Sequence, residues 1–210
     1  MNDGETLIAS LEAQERTLVF TRFDNADAWR LGSAMVAAAI ERALPVTIDI
    51  RRNGQQLFHA ALPGTTAEND AWIERKVNVV NRFAAASYLV GRRLAARGRE
   101  LDEALGVEPR LFAAHGGAFP VRVKDVGVIG TVTVSGLPQA DDHAFVTEMI
   151  GAFLGVLPSA GRQVAGQPLQ PWPAARAGAE DRRGPFLSAG AAGARGHGRH
   201  AALCAPWTPS

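Results

Sequence analysis

The residues best suited to chemistry lie in a short segment at positions 115–120. His115 is followed directly by Gly116 and Gly117, and Phe119 lies two residues further on. Adjacent glycines allow a ligand to approach the backbone closely and leave N–H groups free to bind it. The alternative is that the glycines form only a turn into the next strand. The residues themselves leave both interpretations open.

Two further side chains are candidates for binding. His59 is predicted to lie in a strand opposite Ile48, among aliphatic side chains, where it is either a haem or metal ligand or a hydrogen-bonded core histidine. Lys76 lies in a long helix and could be a buried cation that binds an anion. Because lysines are mostly exposed in folded proteins, the sequence favours a surface position for Lys76.

Motifs of well-known catalytic classes are absent from the sequence. It contains no phosphate-binding glycine loop, no dinucleotide-binding glycine motif, no nucleophile elbow and no HExxH zinc motif. Metal-ligand types occur at His115, Asp141, Asp142 and His143, with His59 as a further imidazole. Asp142 and His143, however, are neighbours in a predicted helix and point about 100° apart. We therefore assign no metal site and no catalytic residue.

Composition limits the class of protein. The chain has 210 residues, of which 47% are apolar and 20% charged, and its formal net charge is +1. Its apolar runs are much shorter than the ~20 residues that span a bilayer. The lone cysteine, Cys204, excludes an intramolecular disulfide. These features predict a cytoplasmic protein with neither a membrane nor a nucleic acid as its partner.

The composition changes abruptly near residue 158. Ala, Gly, Pro and Arg make up 34 of the 53 residues from 158 to 210. Such a segment has too few large apolar side chains to offset the entropy of ordering it. We therefore predict a folded domain at residues 1–157 and a disordered tail at 158–210. The tail is either an arginine-rich arm or an extension of the reading frame with no function.

The elements that position the candidate residues follow from the hydrophobic pattern. It predicts an α+β fold, a three-layer α/β/α sandwich in which helices cover both faces of a five-stranded antiparallel sheet. A capping box at Thr65 and Glu68 opens the longest helix, which we expect to break at residues 84–87. The mixed face of this helix, with Glu74, Arg75, Asn78 and Arg82, predicts a homo-oligomer. The strands are predicted at residues 18–23, 45–51, 55–62, 121–124 and 128–134, and the other helices at about 6–14, 24–42 and 138–154.

Several segments together resemble a known family. They are residues 45–50, 56–60, 63–66, 69–76, 115–120 and 130–137, which include PGTT, NDAWIERK, HGGAFP and GTVTVSGL. In this order and spacing they resemble the uncharacterised-protein branch of the haem-degrading domain superfamily, the GlcG/HbpS-like proteins. The resemblance covers roughly residues 5–155. It implies a profilin-like sandwich, a homo-oligomer, and a site for haem or a related small anionic ligand.

The resemblance leads to two hypotheses of different kinds. In the first, His59 or His115 is the axial ligand of haem, Lys76 or Arg75 binds its carboxylates, and Trp72 and Phe119 form an apolar wall. In the second, the protein is a non-catalytic homo-oligomeric scaffold, since fungal relatives resemble adaptors in the targeting of tail-anchored proteins. The segments that carry the resemblance then serve only the fold and its interfaces.

Overall fold

A computed structural model describes residues 3–101 and 106–156. The predicted tail, residues 158–210, lies outside the described residues, so its disorder stays a prediction. The helices are α1 (Asp3–Thr17), α2 (Asn25–Glu41), α3 (Ala67–Phe83), α4 (Ser87–Ala96) and α5 (Gln139–Leu154), with a short 3-10 turn at Pro109–Leu111. The strands are β1 (Thr47–Arg52), β2 (Gln55–Ala61), β3 (Ala118–Val123) and β4 (Gly127–Ser135).

The sheet is antiparallel, and the described residues give it four strands in the order β2-β1-β4-β3. The α+β class is thus confirmed, and the prediction of five strands is wrong. The segment at 18–23 forms only one parallel bridge, between Phe20 and Val123. Its pairing stops there because the chain turns: Phe23 packs edge-on against Phe20, and Asp24 caps α2.

The two faces of the sheet differ in chemistry, and helices cover both. The apolar face carries Ile48, Ile50, Val132 and Val134, all fully buried. It packs on α2 and α5, and Gly32 of α2 lies so close to the ring of Phe58 that a Cβ atom would overlap it. The other face is polar yet buried and lies under α3; its residues are Thr47, Asp49, Thr131, Thr133 and Ser135.

A β-bulge changes the predicted register of the first hairpin. A regular two-residue turn would place His59 opposite Ile48. The pairing instead shifts between Ile50 and Arg51, so that His59 pairs with Asp49. The prediction that His59 lies among aliphatic side chains is therefore wrong, because one extra residue in β2 moves it to the polar face of the sheet.

The start of α3 is bonded to the end of β4, and the first residue after the break that follows α3 is bonded to the segment at 115–118. The helix is capped by Thr66 and Asn69, one residue later than predicted, and the amide of Asn69 also donates to the carbonyl of Ser135 (3.2 Å). The predicted break is confirmed: α3 ends at Phe83 and Ala84 takes a left-handed conformation (φ 51°). After the break, the hydroxyl of Ser87 donates to the carbonyl of His115.

Candidate functional site

Lys76 is the centre of the site, and its predicted surface position is wrong. Its side chain is 4% exposed, and Nζ donates to Oδ2 of Asp142 (2.8 Å) and to the carbonyl of Val134 (3.0 Å). Burial lowers the pKa of Lys76 and raises the pKa of Asp142, while the attraction between the two charges opposes both shifts. Since Asp142 already neutralises Lys76, this lysine is not a free cation for a ligand carboxylate.

A cavity of about 230 Å³ opens beside this ion pair, between α3, the 115–117 segment and the start of α5. Among the predicted site residues, Trp72, Lys76, His115 and Gly116 line it. Asp142 and Gln139 of α5 complete the wall. The fold thus brings four of the seven candidates to one place, although the longest sequence gap between them is 44 residues, from Trp72 to Gly116.

His115 is exposed and lies between this cavity and a second one. Its ring meets Trp72 edge-on, with the centroids 5.3 Å apart. Partial burial lowers the pKa of His115, and the positive charges of Lys76, Arg75 and Arg92 lower it further. The imidazole is therefore neutral at pH 7 and keeps a lone pair that can bind a metal centre.

The second cavity is larger, about 520 Å³, and its wall mixes charged side chains, Glu100 among them, with the apolar Leu94, Pro109 and Phe112. Arg92 also lines it and stacks on the ring of Tyr88 (5.3 Å). Arg75 stacks on Trp72 in the same way (4.4 Å). Within the described residues, neither arginine has a carboxylate partner, and the Nε atom of each lacks a hydrogen bond. Their charges are thus available to an anion.

The glycines of the 115–117 segment are required by close packing. A Cβ atom on Gly116 would overlap the carbonyl oxygen of Gln139 at the start of α5. Gly117 has a φ of 122°, and a Cβ atom there would overlap the carbonyl of Val134 and lie 2.7 Å from Nζ of Lys76. The contacts that demand glycine thus lie within the protein, while Gly116 also borders the small cavity.

His59 and Phe119 lie apart from this cluster. The ring of His59 is flanked by two carboxylates, with Nδ1 3.7 Å from Asp49 and Nε2 3.5 Å from Asp70. This surrounding would repel the carboxylates of an anionic ligand. Phe119 is 1% exposed and packs in the core beside the ring of His143 (6.1 Å). Their assignment to one ligand site with His115 is therefore not supported by the geometry.

The residues considered for a metal point in different directions. Asp142 binds Lys76, whereas Nε2 of His143 lies 2.8 Å from Oε1 of Gln14 in α1. Across residues 3–101 and 106–156, no three His, Cys, Asp or Glu side chains converge as a metal site would require. In the same part of the chain, no helix is long and apolar enough to cross a bilayer.

Sequence reasoning missed three residues of the site. Ser87 holds the backbone of His115, Arg92 supplies charge and Gln139 lines both cavities. Ser87 follows directly after the Ala-rich break in the helix, and this position is the one sequence feature that could have drawn attention to it. Arg92 and Gln139 are ordinary surface residue types for their helices, and nothing in the pattern distinguishes them.

The comparisons with known proteins agree on one family. The family model described as "Haem degrading protein HbpS-like" matches residues 23–151. A UPF0303 protein of Streptomyces coelicolor is 59% identical over 148 residues, which is 70% of this chain and 94% of that protein. A UPF0303 protein of Edwardsiella ictaluri is 47% identical over 153 residues, 73% of this chain and 98% of that protein.

Solved structures show the same fold. The Ybr137w protein superimposes with a TM-score of 0.65 at 30% identity, over 70% of this chain and 87% of its own. HbpS gives a TM-score of 0.51 at 22% identity, over 64% and 92% of the two chains. The PduOC:Heme complex gives a TM-score of 0.52 at 19% identity, over 62% of this chain and 94% of its own. The chain therefore belongs to the HbpS-like haem-degrading protein family.

Proposed function

We propose that the domain binds haem, or a related planar anionic ligand, in the larger cavity, where His115 would bind the haem iron. One observation carries this proposal: the exposed imidazole of His115 lines a cavity of about 520 Å³ whose wall also includes the apolar Leu94 and Phe112. An accessible histidine beside an apolar wall is the usual protein contribution to a haem site.

The residues present fit haem in three respects. His115 supplies a nitrogen lone pair, Leu94 and Phe112 supply apolar surface, and Arg92 supplies positive charge near the cavity. Arg75 adds a second positive charge beside His115. Haem, when bound, contributes an iron centre capable of redox chemistry, and the chain would orient it and bind its carboxylates. Membership of a haem-degrading family and the haem-bound state of PduOC support the same ligand.

The positioning of His115 is built into the fold. Ser87 binds its backbone carbonyl, and the edge of Trp72 limits the rotation of its ring. Lys76 keeps a positive charge near the imidazole while its own charge is balanced by Asp142. Lys76 thus helps to keep His115 unprotonated and leaves ligand carboxylates to the arginines.

A haem titration of the full-length protein tests the proposal. We expect a saturable shift of the haem absorbance band with the wild-type protein and its loss in His115→Ala. The matched control is His59→Ala, which removes an imidazole flanked by carboxylates and should leave the titration unchanged. Retention of the band in His115→Ala, or its loss in His59→Ala, would contradict the assignment of His115.

A second proposal concerns assembly, and it favours the scaffold hypothesis. The α3 face from which an oligomer was predicted is used within the chain, since Glu74 binds Arg51 and Asn78 donates to the carbonyl of Leu111. Apolar exposure lies on α2 instead: Trp29 is 53% exposed and Ile40 is 64% exposed. They share one helix face with the partly buried Val36, and we propose that a second copy of the chain covers this face.

Light scattering of the full-length protein tests the proposed assembly. We expect a mass above that of the monomer and a fall toward the monomer in Trp29→Ser combined with Ile40→Ser. A monomeric wild-type protein at micromolar concentration would contradict the proposal. If the oligomer forms and haem does not bind, the scaffold function stands alone.

A further inference from the structure

The chain uses lysine at only two positions, against twenty arginines. Lys124 is exposed at the turn between β3 and β4, while Lys76 is buried beside the small cavity. An arginine guanidinium stays protonated in proteins, whereas a lysine amine can lose its proton and act as a nucleophile. In a chain that otherwise relies on arginine, the buried position holds the basic side chain that can react.

The stability of the fold does not by itself require a lysine at position 76. A buried ion pair seldom stabilises a fold more than apolar side chains of similar volume would. Lys76 and Asp142 nevertheless occupy the meeting point of α3, β4 and α5. The amine makes two hydrogen bonds, to Asp142 and to Val134, which leaves its third N–H position for the cavity.

We infer that Lys76 forms an imine with a small aldehyde or ketone bound in the cavity of about 230 Å³. Both groups that this reaction needs line that cavity: a primary amine, and a carboxyl 2.8 Å from it. The resting pair is ionic, and transfer of one proton from Lys76 to Asp142 gives the neutral amine and the protonated carboxyl that the reaction uses; burial, which lowers the pKa of Lys76 and raises the pKa of Asp142, favours this transfer.

The reaction balances with these two groups and water alone. The nitrogen lone pair of Lys76 attacks the carbonyl carbon, a C–N bond forms, and the carbonyl π electrons move to oxygen, which takes up the proton released by nitrogen. Asp142 then donates a proton to this hydroxyl, the C–O bond breaks and water leaves. The product is a protonated imine beside the Asp142 carboxylate, and no atom changes its net oxidation state.

The size of the cavity restricts the carbonyl compound. Sites for drug-sized ligands have volumes of roughly 300–1,000 Å³, so this cavity suits a smaller molecule. Its walls offer the ring of Trp72 and the side chain of Leu137 for apolar contact, and Gln139 as a polar contact. The inference does not depend on haem binding, because the proposed haem site is the larger cavity.

Reductive trapping measures the reaction directly. Full-length protein is incubated with propanal and cyanoborohydride at pH 7, and the modified lysines are located by mass spectrometry after digestion at glutamate. Each unit by which a lysine pKa falls raises its neutral fraction about tenfold at this pH. Because burial lowers the pKa of Lys76, we expect Lys76 to be alkylated faster than Lys124, although Lys124 is exposed and Lys76 is buried.

Controls distinguish a specific site from general reactivity. In guanidinium chloride the two lysines should react at equal rates, and a polycyclic aldehyde too large for the cavity should modify only Lys124 in the folded protein. Lys124→Arg should leave the labelling of Lys76 unchanged. Alkylation of Lys76 no faster than that of Lys124 in the folded wild-type protein would overturn the inference, without bearing on the haem titration.

The role of Asp142 has its own measurement. Asp142→Asn keeps a hydrogen-bonding side chain but removes the proton donor, so the labelling of Lys76 by propanal should slow severalfold while circular dichroism stays unchanged. An unchanged or faster rate in a folded Asp142→Asn protein would overturn the assignment of Asp142 as the donor. If this variant does not fold, the ratio of Lys76 to Lys124 labelling in the wild-type protein decides the inference.

Discussion

The Nζ atom of Lys76 lies 2.8 Å from Oδ2 of Asp142, and both side chains are almost fully buried. The same carboxylate accepts a hydrogen bond from the backbone N–H of Leu137 (3.0 Å), and the same amine donates to the carbonyl of Val134. The pair therefore ties the end of β4 to α3 and to the first turn of α5. Because the two charges balance each other, removing either side chain leaves the other charge buried without a counterion.

Lys76→Met should lower the free energy of unfolding by about 3–5 kcal/mol, since it leaves the Asp142 carboxylate buried without a counterion. Combining Lys76→Met with Asp142→Leu removes both charges and should restore much of this loss. Urea denaturation at pH 7 gives both values. The control is Lys124→Met, an exposed position that should change stability by less than about 0.5 kcal/mol. A single mutant as stable as the double mutant would contradict the burial of this charge pair.

Gly116→Ala should destabilise the domain by about 2–4 kcal/mol, because the new methyl group overlaps the carbonyl of Gln139 and forces α5 away. Gly127→Ala is the matched comparison. Gly127 has a φ of 107°, but a methyl group there would meet no atom within 4 Å, so its cost should be backbone strain alone, about 1 kcal/mol. If thermal unfolding shows that the two variants lose the same amount of stability, the packing at Gly116 is not tight.

Acid should weaken the contact between α1 and α5 through His143. Burial lowers the pKa of His143 from 6.5 to about 4, so the unfolded chain binds this proton at a higher pH than the folded one. The free energy of unfolding should therefore fall as the pH drops below about 6.5, by about 2 kcal/mol between pH 7 and pH 5. His143→Gln, which cannot titrate, should lack this part of the pH dependence. If the free energy of unfolding changes with pH in the same way in both proteins, His143 is not the source of the acid sensitivity.

Removal of residues 157–210 should leave the domain intact. The described core ends with α5, and Gly155, the residue that caps its C-terminus, adopts a left-handed conformation (φ 69°) that ends the helix. We expect the melting temperature of residues 1–156 to match that of the full chain within about 2 °C, together with an unchanged haem titration. A large loss of stability on truncation would show that the tail belongs to the folded domain.

The order of the elements was predictable because local signals mark their boundaries. Asp24 with Asp27 begins α2, Asn53-Gly54 turns the first hairpin, and the Ala-rich run ends α3. The bulge in β2 was not predictable, since nothing near Leu57 marks an extra residue. The prediction of a fifth strand was wrong because the hydrophobic pattern alone does not reveal that the chain turns at Phe23 after a single bridge at Phe20.

The candidate site was predictable only where a local sequence signal marks it, as with the order of the elements. The glycines beside His115 are visible in the sequence as a local anomaly, and His115 and Gly116 line the small cavity in the structure. The burial of Lys76 was not visible, because it depends on Asp142, which lies 66 residues away in the chain. The environment of His59 depends on strand register, and one extra residue changed it from aliphatic to acidic.

The direction of α5 has a practical consequence. Its first residue, Gln139, lines both cavities, and the helix runs for 16 residues to Leu154. At 1.5 Å per residue, its two ends are about 24 Å apart. A dye, a purification handle or a surface linkage placed just after Gly155 would therefore stand about 24 Å from Gln139, and immobilised protein could be probed with ligands without obstruction of the two cavities.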